Sequence, residues 1–211
     1  CSKDSTKISW NDSLKSSCSK NIEVKIDENE FRIGLYRPFC KSNLYFERNF
    51  IQRPYQQTKL FPTQNQENIV ICVSGLGGSK ESTALISNLV TDLNCLDAGT
   101  QCFPLYYYEE CKKSSPTLFD AAGEDEYIRR DGVSDFILER AKKQYGKNVG
   151  KEDIFYYVYG ILHSPDYRTA FANDLKKMLP RIPLVEDVRD FWKFSKAGRQ
   201  LAELHISYES V

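Results

Sequence analysis

The sequence predicts an α+β chain with a strand-rich N-terminal part and a helical C-terminal part. Three observations predict it. Apolar and polar residues alternate in two runs between positions 22 and 35. Residues 69–73 form a continuous apolar run suited to a buried strand. Beyond Ser134 the apolar residues recur at helical spacing.

Residues 1–20 are polar, rich in Ser and Lys, and read as a loose lead-in. Ile22, Val24 and Ile26 alternate with Glu23 and Lys25, which predicts a half-buried strand. Phe31, Ile33 and Leu35 alternate again, and Pro38 ends that run. Residues 44–46 are a short aromatic strand, with Phe39 and Phe46 expected in the core. Residues 65–68 make a polar turn before the 69–73 strand, and 102–108 is the last strand. Residues 112–116 and 121–125 are loop-like and mark a boundary near 112–125.

Four helical stretches follow. Residues 134–145 carry Ile137, Ala141 and Tyr145 on one face, and Gly146 stops them. Residues 151–162 carry Ile154, Phe155, Val158, Ile161 and Leu162 on one stripe. Ser164-Pro165-Asp166 supplies a cap, a first-turn proline and a first-turn acid. That helix is expected to run to about Leu179, before Pro180. A last helix spans 186–204, with a break expected near Gly198. The organisation is a lead-in (1–20), a strand-rich part (21–115) and a helical part of the same domain (116–211).

The chain has 211 residues, 41% of them apolar, and a formal net charge of zero. That balance argues against a histone-like polycation but leaves room for local charge. The seven cysteines, Cys1, Cys18, Cys40, Cys72, Cys95, Cys102 and Cys111, form no C-x-x-C pair. An odd number in a chain of this length argues against a disulfide framework or a zinc site. Reduced thiols in a cytoplasmic protein are the expected state. No apolar run approaches the roughly 20 residues of a membrane span, and no signal peptide is visible. Because residue 1 is Cys, the chain is expected to be a trimmed part of a longer one, with a lipoprotein start the alternative.

The strand and loop from Ile69 to Lys80 end in Gly75, Gly77 and Gly78. Their spacing fits neither a P-loop nor a dinucleotide fingerprint. A tight turn needing positive φ explains them, although its amides with Ser79 and Lys80 are placed to hold a phosphate. Ser74 does not sit in a G-x-S-x-G elbow, and the chain has only two histidines, His163 and His205. A small hydrolase built on the Ser74 turn therefore lacks its base and acid. The acid pairs at 109–110, 124–126 and 152–153 fit solvated loops or a helix N-terminus.

The strip from Phe31 to Phe61 is different. It holds Arg32, Arg37, Lys41, Arg48, Arg53 and Lys59 against one acid, Glu47. Tyr36, Phe39, Tyr45, Phe46, Phe50 and Tyr55 are interleaved, with Gln52, Gln56 and Gln57. Cations neutralise phosphates, and Arg or Gln makes paired hydrogen bonds to base edges. A solvated basic face over an aromatic core has the same composition, and composition alone leaves both readings open.

Longer strings are more specific. Leu35-Tyr-Arg-Pro-Phe39 with Leu44-Tyr-Phe46, Gln101-Cys-Phe-Pro-Leu-Tyr-Tyr-Tyr108 and the run from Lys151 to Arg168 occur in order, followed by Leu179-Pro-Arg-Ile-Pro183 and Phe191-Trp-Lys-Phe-Ser-Lys-Ala-Gly198. From about Ile8 onward the chain resembles the C-terminal specificity domain of type ISP single-polypeptide ATP-dependent restriction–modification enzymes. The resemblance implies a non-catalytic, cytoplasmic module that recognises double-stranded DNA. It implies a parent that also carries a nuclease, a helicase-like motor and an adenine-N6 methyltransferase. S-adenosylmethionine, ATP and Mg2+ would then serve the parent, with no cofactor in this chain. The sequence contains no methyltransferase [DNS]-P-P-[YFW] motif and no Walker A motif. On this reading Lys41, Lys59, Ser79 and Lys80 suit phosphates, while Arg48, Arg53, Gln56 and Gln57 suit base edges. Arg37 suits a structural ion pair as readily as a DNA contact. The rival is a protein-interaction module that docks through the aromatic helices at 153–162 and 190–196.

Overall fold

A computed structural model describes residues 11–210 except 24, 52, 79, 80, 98 and 112–126. The chain opens with α1 (Asp12–Ser19), capped by Asn11 Oδ1, which accepts from the Leu14 amide at 2.8 Å. The same Asn11 side chain donates to the Phe50 carbonyl at 2.7 Å, so the lead-in is tied to the basic strip. β1 (Phe31–Arg37) and β2 (Cys40–Tyr45) form an antiparallel hairpin. A short helix, α2 (Gln57–Leu60), follows.

β3 (Val70–Val73) lies between β4 (Ala84–Ser87) and β6 (Gln101–Pro104), antiparallel to both. The two-residue β5 (Val90–Thr91) leaves this sheet and pairs in parallel with β1, opposite Gly34 and Leu35. β7 (Tyr106–Glu110) and β8 (Tyr127–Asp131) form a separate two-stranded sheet. Then come α3 (Asp135–Tyr145), α4 (Lys151–Leu162), α5 (Pro165–Ala170), α6 (Ala172–Leu175) and α7 (Val188–Ile206). The architecture is α+β, strands first and helices after.

β3 is buried along its whole length, and its period of two divides the core. Ile71 and Val73 join Ile86 and the helical residues Tyr157, Tyr159 and Phe191 in one apolar cluster. Val70 and Cys72 join Leu35, Phe46, Leu60 and Val90 in a second. Asn68, just before β3, uses both ends of its buried amide. It donates to the Leu60 and Tyr106 carbonyls (2.8 and 2.6 Å) and accepts from the Ile69 and Tyr106 amides. One satisfied polar side chain thus fixes α2 and β7 against the start of β3.

The helical layer rests on α4 and α7. Gly160 and Gly198 let their backbones touch. A Cβ on Gly198 would lie 2.0 Å from the Tyr156 carbonyl oxygen, and one on Gly160 would lie 2.4 Å from that of Phe194. Tyr145 stacks on Phe191 with centroids 4.2 Å apart. The extended segment between α6 and α7 is held by tyrosine hydroxyls: Tyr157 donates to the Pro183 carbonyl and Tyr145 to that of Val185, each at 2.6 Å. At the far end of α7, His205 and Tyr208 pack edge-on against Phe39 of the hairpin turn, with centroids 5.4 and 5.2 Å away.

Several expectations change. Among the described residues, 22, 23 and 25–27 form no strand and none pairs with them, and Ile22 and Ile26 are 54% and 69% exposed. Phe46 is buried, but Phe39 is 46% exposed; it occupies the hairpin turn at φ 55° rather than a strand. The expected 102–108 strand divides at Leu105 into β6 and β7, which serve different sheets. The helix begun at Ser164 ends at Ala170 instead of reaching Leu179, and α6 is a separate turn after Phe171. α7 runs unbroken through Gly198, whose missing side chain serves the contact with α4. The expected boundary at 112–125 lies outside the described residues.

Replacing Gly198 with Ala improves helix propensity by about 1 kcal/mol. It also drives a methyl into the Tyr156 carbonyl, so a net loss of about 1–3 kcal/mol is expected in urea unfolding. Ser164 Oγ accepts from the Tyr167 amide at 3.4 Å and caps α5. Ser164→Ala should cost about 1 kcal/mol in the same assay. His163 sits between Tyr159 and His205, with its Nε2 buried and unpartnered among the described residues. Burial, with His205 and Arg168 nearby, pulls its pKa down to about 4. The unfolded chain then binds a proton at pH values where the folded chain does not. Stability from the neutral ring is complete above about pH 6.5 and is lost as the pH falls toward 4. Denaturation midpoints between about pH 6.5 and 5 should therefore fall with pH, and His163→Gln should flatten that slope.

Candidate nucleic-acid interface

The basic strip folds as the β1–β2 hairpin followed by a segment that returns across it to α2. Its cations separate into two groups. Arg32 belongs to the structure. Its guanidinium donates to the Phe61 and Pro62 carbonyls at 2.6 and 3.0 Å, pairs with Glu30 at 3.0 Å, and lies over the Phe46 ring. Arg37 is also engaged: it pairs with Asp92 at 2.9 Å and lies 3.9 Å from the centroid of Tyr36. Lys41 pairs with Glu209 at 2.6 Å, and that partner raises its pKa.

Arg48, Arg53, Gln56 and Lys59 are exposed, and their side chains have no partner among the described residues. Gln57 is half-buried. Its Nε2 contacts Cys102 Sγ at 3.5 Å, and its Oε1 is buried with no hydrogen-bond partner among the described residues. Ser79, Lys80 and Gln52 lie outside the described residues.

Arg53, Gln56 and Gln57 meet at a cleft of 640 Å3 between the hairpin, β5 and the start of β6. Its floor is apolar, made by Leu35, Leu44, Phe46, Leu60 and Val90 of the second core cluster. Its rim carries Tyr36, Asn43, Tyr55 and Gln101. The rim segment around Pro54 is unusual in its backbone, since Arg53 and Tyr55 both have positive φ, 61° and 50°. L-residues adopt that region at a cost, and such outliers concentrate at functional sites. Arg37, Lys41, Arg48 and Lys59 stand outside the lining of the cleft. The sequence therefore picked out three rim residues but missed Tyr36, Asn43 and Tyr55 as a group. Their one signal was the Arg-Pro-Tyr turn at 53–55.

Elsewhere the side chains serve the fold. Ser74 Oγ accepts from the Thr83 amide at 3.0 Å, and Gly77 adopts φ 78°, as a tight turn requires. Glu109 pairs with Arg130, and Glu152 with Arg199. Asp153 accepts from the Gly150 amide at 2.9 Å and caps α4. Cys72 and Cys102 face each other across β3 and β6 as free thiols, their sulfurs within hydrogen-bonding contact at 3.8 Å. Among the described residues no group of His, Cys, Asp and Glu is arranged to hold a metal ion. Among them, too, no helix is long and apolar enough to cross a membrane. Of the aromatic residues in the stretches expected to dock, Tyr157, Tyr159 and Phe191 are wholly buried, whereas Trp192 is 36% exposed.

No curated protein sequence matches this chain. Three solved structures share its fold closely. An ATP-dependent type ISP restriction–modification enzyme, LlaBIII, bound to DNA, is 32% identical with a TM-score of 0.79 over 96% of this chain and 12% of that one. A DrdV–DNA complex is 30% identical with a TM-score of 0.82, covering 95% of this chain and 18% of the other. A nuclease-deletion mutant of the type ISP enzyme LlaGI, in complex with a DNA substrate mimic, is 32% identical with a TM-score of 0.75 over 99% of this chain and 14% of its own. The chain thus spans less than a fifth of each of these proteins. A family model matches it from residue 1 to 211, and with these structures it shows that the chain belongs to the type ISP C-terminal specificity domains.

Proposed function

We propose that this chain reads the target sequence on double-stranded DNA for a larger restriction–modification polypeptide. The carrying observation is the grouping of Arg53 and Gln56 at a cleft rim, both exposed and, like exposed Arg48 and Lys59 of the same strip, without a partner among the described residues. Planar guanidinium and amide groups make paired hydrogen bonds to guanine and adenine edges. An ammonium such as Lys59 holds a phosphate without base preference. DNA bound to the relatives at 30–32% identity supports the same reading.

The chain's own part is recognition, not chemistry. It would set the register of the duplex so that a methyltransferase elsewhere in the polypeptide meets its adenine, and so that a motor and nuclease respond to unmodified sites. S-adenosylmethionine, ATP and Mg2+ would act in those other parts. Flipping the adenine would also belong there. Arg32, Arg37 and Lys41 are left out of the reading surface, because their charges are already met by Glu30, Asp92 and Glu209.

The test is a binding titration on cognate and scrambled duplexes at several salt concentrations. Lys59→Ala should weaken binding to both alike and reduce the salt slope by roughly one unit. Arg53→Ala or Gln56→Ala should cost about 1–3 kcal/mol on the cognate duplex and relax choice at one position. Unchanged affinity and salt slope in all three variants would refute the assignment of this face.

A further inference from the structure

The shape of the cleft conflicts with simple groove reading. Stacked bases offer their edges to a protein surface that protrudes into the groove. A recess of 640 Å3 with an apolar floor does the opposite, since only a group that leaves the stack can fill it. Its volume falls within the roughly 300–1,000 Å3 of small-ligand sites. Leu35, Phe46, Leu60 and Val90 in its floor are core residues with only a thin edge toward the recess, and Leu44 is half-buried.

We propose that the cleft receives one nucleobase turned out of the DNA stack; this rests on the DNA-reading function above. A base has an apolar face for the floor and a polar edge for amides, and the lining supplies both. Tyr55 stands at the mouth with 62% of its surface exposed, available as a stacking platform, while Tyr36 beside it, 49% exposed, already carries Arg37 over one face of its ring. Asn43, Gln56 and Gln57 bring three carboxamides, each able to donate and accept toward a Watson–Crick edge. Gln57 is held by little. Its Nε2 has only a 3.5 Å contact to sulfur, and its Oε1 has no hydrogen-bond partner among the described residues. Turning that amide toward a base would satisfy the orphaned acceptor. The positive φ values of Arg53 and Tyr55 set the rim in advance, before any base arrives.

The experiment compares two duplexes of one sequence, one fully paired and one with a single unpaired 2-aminopurine nucleotide. Each is titrated with the 211-residue chain. The unpaired probe should bind at least about tenfold more tightly, the factor that one base–aromatic stack supplies. Its fluorescence should be quenched as it stacks. Tyr55→Ala and Gln57→Leu, both shown to be folded by circular dichroism, should each erase most of that preference. Equal binding of the two duplexes overturns the proposal and leaves DNA reading intact. So does a preference that both variants keep. Failure to bind either duplex overturns both readings.

Discussion

Burial of four consecutive residues, Val70 to Val73, is the constraint on which the rest of the structure depends. A strand with one wet face can slip or fray. This one is covered on both faces, and a shift of one residue would exchange Ile71 and Val73 with Val70 and Cys72. β4 and β6 satisfy its backbone on either edge, so none of its ladder groups is left for water. The helical layer is then free to specialise in support, and the opposite layer in presentation. The cleft lies on the second side, between the hairpin, β5 and the start of β6.

The two layers are built by different means. α4 and α7 pack backbone to backbone through paired glycines, and tyrosine hydroxyls pin the extended segment that leads into α7. Such contacts tolerate little change and make a rigid base. The hairpin layer relies on ion pairs and turns. Arg32 and Arg37 spend their charge on Glu30 and Asp92, and Pro54 sits between two residues in the left-handed region. Specificity modules need that division, because rim side chains can vary when the scaffold beneath them does not.

Legibility in the sequence followed how local each signal was. α4 occupies 151–162 as expected, since Gly150 and Ser164-Pro165 punctuate an apolar stripe that needs no distant partner. The same holds for α3, between Ser134 and Gly146. The alternation at 22–26 failed because a strand exists only against another strand. Gly198 was misread because a helix break and a close helix contact call for the same residue. Within the basic strip, composition could not distinguish free cations from neutralised ones. Asp92 lies 55 residues beyond Arg37, and Glu209 lies 168 residues beyond Lys41. Type ISP kinship was visible in ordered strings such as 35–39 and 151–168, but the cleft that Leu35 and Tyr36 help to line was not.

The pairing of Lys41 with Glu209 spans almost the whole chain. Phe39, in the same hairpin turn, packs against His205 and Tyr208 from the last turns. Contacts of such separation must repay a large loop-closure entropy, so they form late in folding. During synthesis the hairpin leaves the ribosome well before its partner residues exist. It must wait with an exposed aromatic turn until they emerge. The domain therefore gains its finished hairpin only after translation has passed Glu209. A chain stalled earlier would leave the Phe39 ring without His205 and Tyr208 against it.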